Sequence, residues 1–433
     1  MQETKRIELF IAPDRRRSYF TIPFDLPPNV ESLTLSYQYE QNTPGAESNG
    51  FTAVEHVNTI DLGLISPDGS QVGASGSDKS SITIGPVSAT PGYQVVPLVP
   101  GEWQILVGAY KVGPAGVTVT YELTFTFKEP RWLKGDFHTH TFGSDGVLSA
   151  AELGMHALRH GLDFIAITDH NQFVTSASLP AIPGLTIIPG VEWTHYDGHA
   201  NFLGIEKPYD EPFFTNSLPE TLARFSSARK RGAVIVINHP FDEGSGFKFD
   251  FNALPFDCLE IWNGPMRESN LRALALWQSL LTAGHKIPMV GGSDYHRDNL
   301  FQILGGPTTC VYSLSRSAED ILSALKAGHA YLIFSPLGPA LRFNSGEAMM
   351  GDSLSWKPKA EVQIEVEGLL PGDVVRLVTA KGSEDLLRAT AAGNLSLSHP
   401  VTSPGFARVE VQRSFLAGIP PLPALISNPI YFD

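Results

Sequence analysis

An α/β segment flanked on both sides by β-rich segments is the fold class that this 433-residue sequence predicts. Three observations carry the prediction. Residues 1–130 alternate short apolar runs with Gly- and Pro-containing turns, as in "VTVTYELTFTF" and "NTIDLGLISPDG", the period-2 mark of a β-sandwich. Over residues 131–335, from "RWLKGDFHTH" onward, strand-like and helix-like segments take turns, which implies parallel pairing in a barrel or a doubly wound sheet. Over residues 336–433 the β pattern returns in "EVQIEVEG", "DVVRLVTA" and "FARVEVQ", expected to form a small second sandwich.

The elements of the middle segment can be justified in order. After "GDFHTH", the stretch "SAAELGMHALRHGL" reads as a helix opened by Ser149 and Glu152 in capping-box spacing. The strands "DFIAITDH", "LTIIPGVEWTH" and "GHANFLGI" follow, then the helix "LPETLARFSSARKRG" and the strand "AVIVINHP". Beyond them come "DCLEIWNG", the helix "ESNLRALALWQSLLTAGH", the strand "IPMVGGSDYH", the helix "SAEDILSALKAGH" and the strand "AYLIFS". His285 and His329 follow glycines at helix ends, where a C-cap role is the simple reading.

Composition narrows the function classes. A formal net charge of −14 argues against a broad surface for nucleic acid, without excluding a small anionic substrate whose charge metal ions offset. The N-terminus has no long apolar core of a signal peptide and no 18-residue apolar run occurs, so no membrane partner is expected and a cytoplasmic location is, although a trimmed signal peptide would look the same. Cys258 and Cys310 share no metal-ligand spacing and read as two isolated buried thiols. Phosphate loops of the GxxxxGK[ST] type, dinucleotide fingerprints and G-x-S-x-G elbows do not occur.

Polar residues gather where the middle strands end. "GDFHTH" supplies His138 and His140, with Asp145 shortly after, and "FIAITDH" supplies Asp169 and His170. "IIPGVE" supplies Glu192, "GHANF" opens with His199, "VIVINHP" ends in His239, and "MVGGSDYH" carries Asp294 and His296. Strand ends of a parallel barrel or sheet share one rim, so residues distant in sequence converge there. His138 and His140, at i and i+2, point to one side of an extended strand. Imidazole and carboxylate without thiolate suit Zn, Mn, Fe or Co, and a carboxylate such as Glu192 can bridge two ions. His195 is the other histidine of "EWTHYDGH" and is read as a residue behind the ligands or against substrate. Glu152, His156 and His160 share one helix stripe opposite its apolar face and read as solvated.

Taken together, "DFHTHTFGSDG", "AITDHN", "GVEWT…GH", "NHP" and "GGSDYH" resemble the polymerase-and-histidinol-phosphatase (PHP) superfamily of metal-dependent phosphoesterases, over about residues 131–335. "LEIWNG…LWQSLLTAGHKIPMVGGSDYH" and the closing "SNPIYF" look more narrowly like its carbaryl-hydrolase-like (CehA/McbA) branch. The resemblance implies a distorted (β/α)7 barrel with two or three divalent ions. His138, His140, Glu192 and Asp294 would hold one ion. Glu192, His199 and His239 would hold a second, and Asp145, His170 and His296 a third. It further implies a metal-bridging hydroxide as nucleophile, with Glu192, Asp294, His199 and Asp169 as the catalytic set. Arg297 and Arg267 are candidates to bind a phosphate oxygen.

The substrate class expected is a small phosphate mono- or diester. A carbamate or carboxylic ester is the variant that the Phe-rich "FKFDFNALPF" and "PYDEPFFTNS" keep open, and a binding protein with a scaffold barrel is the non-enzymatic alternative. The N-terminal β-segment either covers the barrel, binds something, or builds a homodimer interface.

Overall fold

The computed structural model describes residues 1–48 and 51–433, which divide into two compact units, Met1–Glu129 and Pro130–Asp433. The first unit contains two four-stranded antiparallel sheets. One runs Gln2–Ile11, Val117–Phe127, Val30–Gln38, Ser81–Ile84; the other runs Ser18–Leu26, Gly101–Lys111, Thr59–Ile65, Gln71–Ser75. Alternation dictates which side chains enter the shared core. Val117, Val119, Tyr121, Leu123 and Phe125 are buried while Thr118 and Glu122 between them are exposed.

The second unit is built on a 15-stranded mixed sheet. Its first nine strands are β1 (Arg131–Thr139), β2 (Phe164–Ile167), β3 (Thr186–His195), β4 (Gly198–Leu203), β5 (Val234–Ile237), β6 (Cys258–Asn263), β7 (Met289–Gly292), β8 (Thr308–Ser313) and β9 (Ala330–Ile333). They lie in the order β7-β6-β5-β4-β3-β2-β1-β8-β9. Pairing is parallel for β1–β2–β3 and β5–β6–β7, but β4 runs antiparallel to both neighbours, and β8 is antiparallel to β1 and β9. The all-parallel expectation is therefore corrected. β3 turns straight into β4 through Tyr196 and Asp197, and a connection of that length permits only antiparallel return.

A closed barrel is also not what the strand path forms. The path is open, and β1 meets the segment after β7 at one isolated parallel bridge, Thr139 to Tyr295. Four helices accompany these strands: α1 (Ala150–Arg159), α2 (Leu218–Lys230), α3 (Glu268–Thr282) and α4 (Ala318–Lys326). The links β2–β3 and β5–β6 carry "SLPAIPG" and "HPFDEGSGF" in place of an α-helix, since Pro and Gly end α-helices rather than sustain them.

Local chemistry explains each helix. Ser149 accepts the Glu152 N–H while the Glu152 carboxylate accepts the Ser149 N–H, so the predicted capping box opens α1. Ala273, Trp277 and Leu281, at i, i+4 and i+8, bury one stripe of α3; Trp277 also donates to the Ile287 carbonyl. Gly284 and Gly328 take positive φ just after α3 and α4, which stops the helices, and the His285 and His329 N–H groups close the ends by donating to the Leu280 and Ala324 carbonyls. Among the described residues no helix is long and apolar enough to cross a membrane.

The sheet continues across the expected boundary at residues 335/336. β9 pairs with Leu422–Ser427, and Gly405–Arg413, Val374–Thr379 and Gly382–Arg388 extend the same sheet. A separate four-stranded sheet (Ala348–Met349, Ala340–Ser345, Glu361–Leu369, Gly393–Pro400) shares with that extension a core including Phe343, Ile364, Val409 and Leu425. Cys258 and Cys310 are both buried and free.

Candidate metal centre

β1 places Asp136, His138 and His140 on one face by its period of two, and all three are fully buried. β3 brings Glu192, also fully buried. β4 runs the other way, so its first residues rather than its last reach the same rim. There Thr194 pairs with His199 and Glu192 with Asn201. His170 follows β2, His239 follows β5, and Asp294 and His296 follow β7. These side chains thus reach one rim from the ends of five strands running one way and from the start of one running back.

Glu192 is the hub. Its Oε1 lies 3.3 Å from His138 Nε2, 3.1 Å from His199 Nδ1 and 3.3 Å from His239 Nε2, and accepts from Asn238 Nδ2 at 2.9 Å. Its Oε2 lies 3.6 Å from His140 Nε2 and 2.7 Å from His170 Nδ1, without meeting hydrogen-bond geometry to either. Asp294 Oδ1 lies 3.0 Å from His140 Nε2 and 3.3 Å from His138 Nε2. On the outer side, Asp145 Oδ1 lies 3.1 Å from His296 Nε2 and 3.6 Å from His170 Nε2. Four groups of donor atoms result. They are His138/His140/Glu192, His170/Glu192/His199, His140/Asp145/His170/His296, and His138/His239/Glu260.

These residues fit divalent ions by a test independent of resemblance. His138 Nε2, His140 Nε2, Glu192 Oε2 and His239 Nδ1 are buried with no hydrogen-bond partner. Each such atom costs about 1–3 kcal/mol when left unsatisfied, and three of them aim into one cluster of imidazoles and carboxylates. Coordination removes that cost, and the donor set suits Zn, Mn or Fe.

Electrostatics says the same. Burial pushes the His138 imidazole down, yet Asp294, Glu192 and Glu260 hold it well above its usual range. Burial opposes ionisation of Glu192, and His138, His170 and His199 nevertheless keep its carboxyl well below the ordinary value. Asp294 is lowered in the same way, by His138 and His140 against burial. His170 and His239 are raised, chiefly by Glu192 against burial, whereas for His140 burial wins and the imidazole is lowered. Without ions, protons on buried histidines supply the positive charge that these carboxylates demand.

Groups behind the ligands fix them. Glu260, on β6 and buried, accepts from His138 Nδ1 at 3.1 Å, from the His239 N–H at 2.8 Å and from Asn263 Nδ2 at 3.2 Å. Its hold on Nδ1 turns His138 Nε2 toward the cluster. His296 Nδ1 bonds the Asp294 carbonyl at 2.7 Å, leaving Nε2 for Asp145. Asp136 accepts backbone N–H groups from His138, Ser293 and Gly305 and the Ser293 hydroxyl, which ties the HTH strand to the "GGSD" turn; burial raises its carboxyl to about 6. Asn270 of α3 clamps the end of β6 by bonding both the N–H and the carbonyl of Asn263.

The backbone is bent to fit. Asn171, His239 and Asp294 are three of the five non-glycine residues with positive φ among those described, a conformation costing roughly 1–3 kcal/mol each.

Sequence reasoning did not find Glu260, Asp136 or Asn238. Glu260 had left a signal, a carboxylate between Leu259 and Ile261 in an otherwise apolar strand, and Asp136 stands at i−2 from His138.

Four expected residues do not join the cluster. Asp169 is buried, but its Oδ1 accepts from the Thr141 N–H at 2.7 Å and Ser144 Oγ at 2.9 Å, and its Oδ2 from Thr141 Oγ1 at 2.6 Å. It anchors the loop that carries Asp145, with both carboxylate oxygens engaged there. His195 accepts the Asp197 N–H at Nδ1 and donates to the Thr215 carbonyl from Nε2, so only its ring face is available. Arg297 is exposed and lines a separate hollow beside α1 with His156, Arg159 and Asp298. Arg267 is held by Asp242 at 2.9 Å and by Asn263 Oδ1 at 3.1 Å; Asn263 Nδ2 in turn lies 3.3 Å from Asp294 Oδ2.

No protein-family model matches the chain. A stretch of 59 residues is 36% identical to the DNA polymerase/3'-5' exonuclease PolX of Bacillus subtilis (strain 168), covering 14% of this chain and 10% of that protein. The chain therefore spans about a tenth of the length of that curated relative. Among solved structures it is similar to a two-domain protein from Bacteroides vulgatus ATCC 8482, described as containing a predicted PHP-like metal-dependent phosphoesterase. Identity there is 20%, coverage 69% of this chain and 95% of that one, and the TM-score 0.41. It is also similar to an amidohydrolase from Chromobacterium violaceum with bound sulfate and no metal, at 17% identity, 39% and 89% coverage and a TM-score of 0.30.

Proposed function

We propose that the protein is a metal-dependent hydrolase of small phosphate mono- or diesters. The observation that carries the reading is the convergence on Glu192 of five imidazoles from four separate segments, with buried donor atoms that have no partner within the protein. His138, His140, Glu192 and Asp294 would hold one ion, Glu192, His199 and His239 a second, and Asp145, His170 and His296 a third. When bound, such ions supply Lewis acidity toward the ester and an activated water at neutral pH.

The chain's own residues do the rest. Glu192 presents one oxygen to each half of the cluster and so sets their spacing. Glu260 orients His138 and the backbone of His239. Asp169 and Asp136 hold the loops bearing Asp145 and Asp294. Depth excludes bulk water from His138, His140 and Glu192, which strengthens every charge interaction there.

One observation favours hydrolysis of a carbamate or carboxylic ester as the second reading. The cavity that opens beside His199 is lined mainly by aromatic and neutral polar residues, with one carboxylate, Asp197, and no lysine or arginine among the described residues that line it. A panel decides between the two. p-Nitrophenyl phosphate, bis-p-nitrophenyl phosphate, p-nitrophenyl acetate and an aryl carbamate are compared on metal-loaded protein, with and without chelator. Chelator-sensitive turnover of the phosphoesters supports the first reading. Turnover of the neutral esters alone moves the protein to the second, and neither turnover nor bound metal leaves a binding protein.

A further inference from the structure

The geometry points to an aryl-binding subsite beside the metal centre: the cavity bounded by Phe213, Phe214, Phe249, Tyr196 and the face of His195 receives an aromatic group of the substrate. This deepens the proposed hydrolase reading, on which it rests. The cavity measures about 990 Å³, within the range of small-molecule sites. His199 lines it, and His199 Nδ1 is 3.1 Å from Glu192 Oε1, so the cavity and the donor cluster share a wall.

Its polar groups are largely bound to one another. Thr215 and Thr221 join hydroxyls at 2.8 Å, and Thr221 also donates to the Ser217 carbonyl. Asn171 is paired through both amide atoms with the Thr194 backbone at 2.9 and 3.1 Å. His195 has both ring nitrogens occupied and stacks on Trp193 with an interplanar angle of 5°, its ring tilted against Phe249 at 5.6 Å. What these residues leave for a ligand on the aromatic side of the cavity is ring surface. Phe213 is 42% exposed, Phe214 57% and Tyr196 89%, a grouping of large side chains that burial in the protein's own core does not explain.

The charge argument fixes the class of occupant. Asp197 is the one charged side chain among the described residues lining the cavity, and Lys248, 3.4 Å from it, lies outside. A second phosphate or carboxylate on the substrate would meet Asp197 and no lysine or arginine among the lining residues. A neutral aromatic ring would meet aromatic faces, which pair with it favourably.

The test is calorimetric titration of the metal-loaded protein with phenylphosphonate and with methylphosphonate, which share an anionic head and differ in the ring. Phenylphosphonate is expected to bind about tenfold tighter or more. In Phe214→Ala and Phe249→Ala that preference should shrink to about threefold or less, with methylphosphonate affinity unchanged. Phe214 is largely exposed, so its variant is not at risk of unfolding. Equal affinities in the wild type, or a preference that survives both substitutions, would overturn the subsite. The two readings fail separately. A protein that turns over no ester yet prefers the phenyl ligand loses the hydrolase reading and keeps the subsite. One that hydrolyses esters with no phenyl preference loses the subsite and keeps the hydrolase.

Discussion

Glu260 Oε1 lies 3.1 Å from Nδ1 of His138, deep in the protein. Because the same carboxylate accepts the His239 N–H through Oε2, one acid aligns ligands from β1 and from the turn after β5.

Glu260→Gln keeps the volume but can present an oxygen to only one of those two donors. Metal affinity should fall by about 10- to 100-fold with little change in fold. Competition titration against a chromophoric chelator reads this directly, and unchanged affinity would reduce Glu260 to a packing residue.

Metal binding should release protons and tighten as pH rises through neutrality. His138, His170 and His239 are raised by the surrounding carboxylates, so the ion-free cluster holds protons near pH 7 that an ion must displace. Lowering the pH strengthens the protons' side of that competition. Calorimetry in two buffers of different ionisation enthalpy counts the release, and an enthalpy independent of buffer would contradict the prediction.

Asp136→Ala leaves three buried N–H groups and one hydroxyl without an acceptor. A loss of stability of about 3–5 kcal/mol is expected, in the range for breaking a buried charged network. Chemical denaturation followed at tryptophan measures it; a change under about 1 kcal/mol would show that the donors find other acceptors.

Arg297→Ala should leave KM for any ester within about twofold, because the side chain faces the hollow beside α1. A rise of about tenfold for phosphoesters alone would restore it to the substrate site.

Much of the centre could be read from the sequence because metal chemistry needs particular residue types and strand geometry repeats them at strand ends. His138 and His140 at i and i+2, Glu192 closing an apolar run and Asp294 in "GGSDYH" are local patterns, and each lies where the pattern put it. The capping box of α1 was equally legible, since a cap is local, but its faces were not: His156 and His160, read as solvated, are half-buried beside Asp298 and the Leu304 carbonyl, and Leu153 and Ala157 form the buried side.

Pairing direction was not. β4 carries the same apolar signature whichever way it runs, and only the two-residue turn at Tyr196–Asp197 reveals the reversal. The hydrogen-bond partners of Asp169 and His195 and the setting of Arg297 were not legible for a related reason. A polar residue next to a ligand in sequence can face the ligand, a loop or solvent, and neighbours from other segments decide. Thr141 and Ser144 take Asp169, and Thr215 takes His195. Glu260 is the converse, a residue far from any motif that the fold carries to His138.

The central claim is that the Glu192 cluster holds metal. Its most direct test is the metal stoichiometry of chelator-stripped protein after reloading with Zn or Mn, set beside that of Glu192→Ala. More than one tightly held ion per chain, falling by at least one in the variant, is the predicted result. No tightly held ion in the wild type, or equal stoichiometry in both proteins, would contradict it.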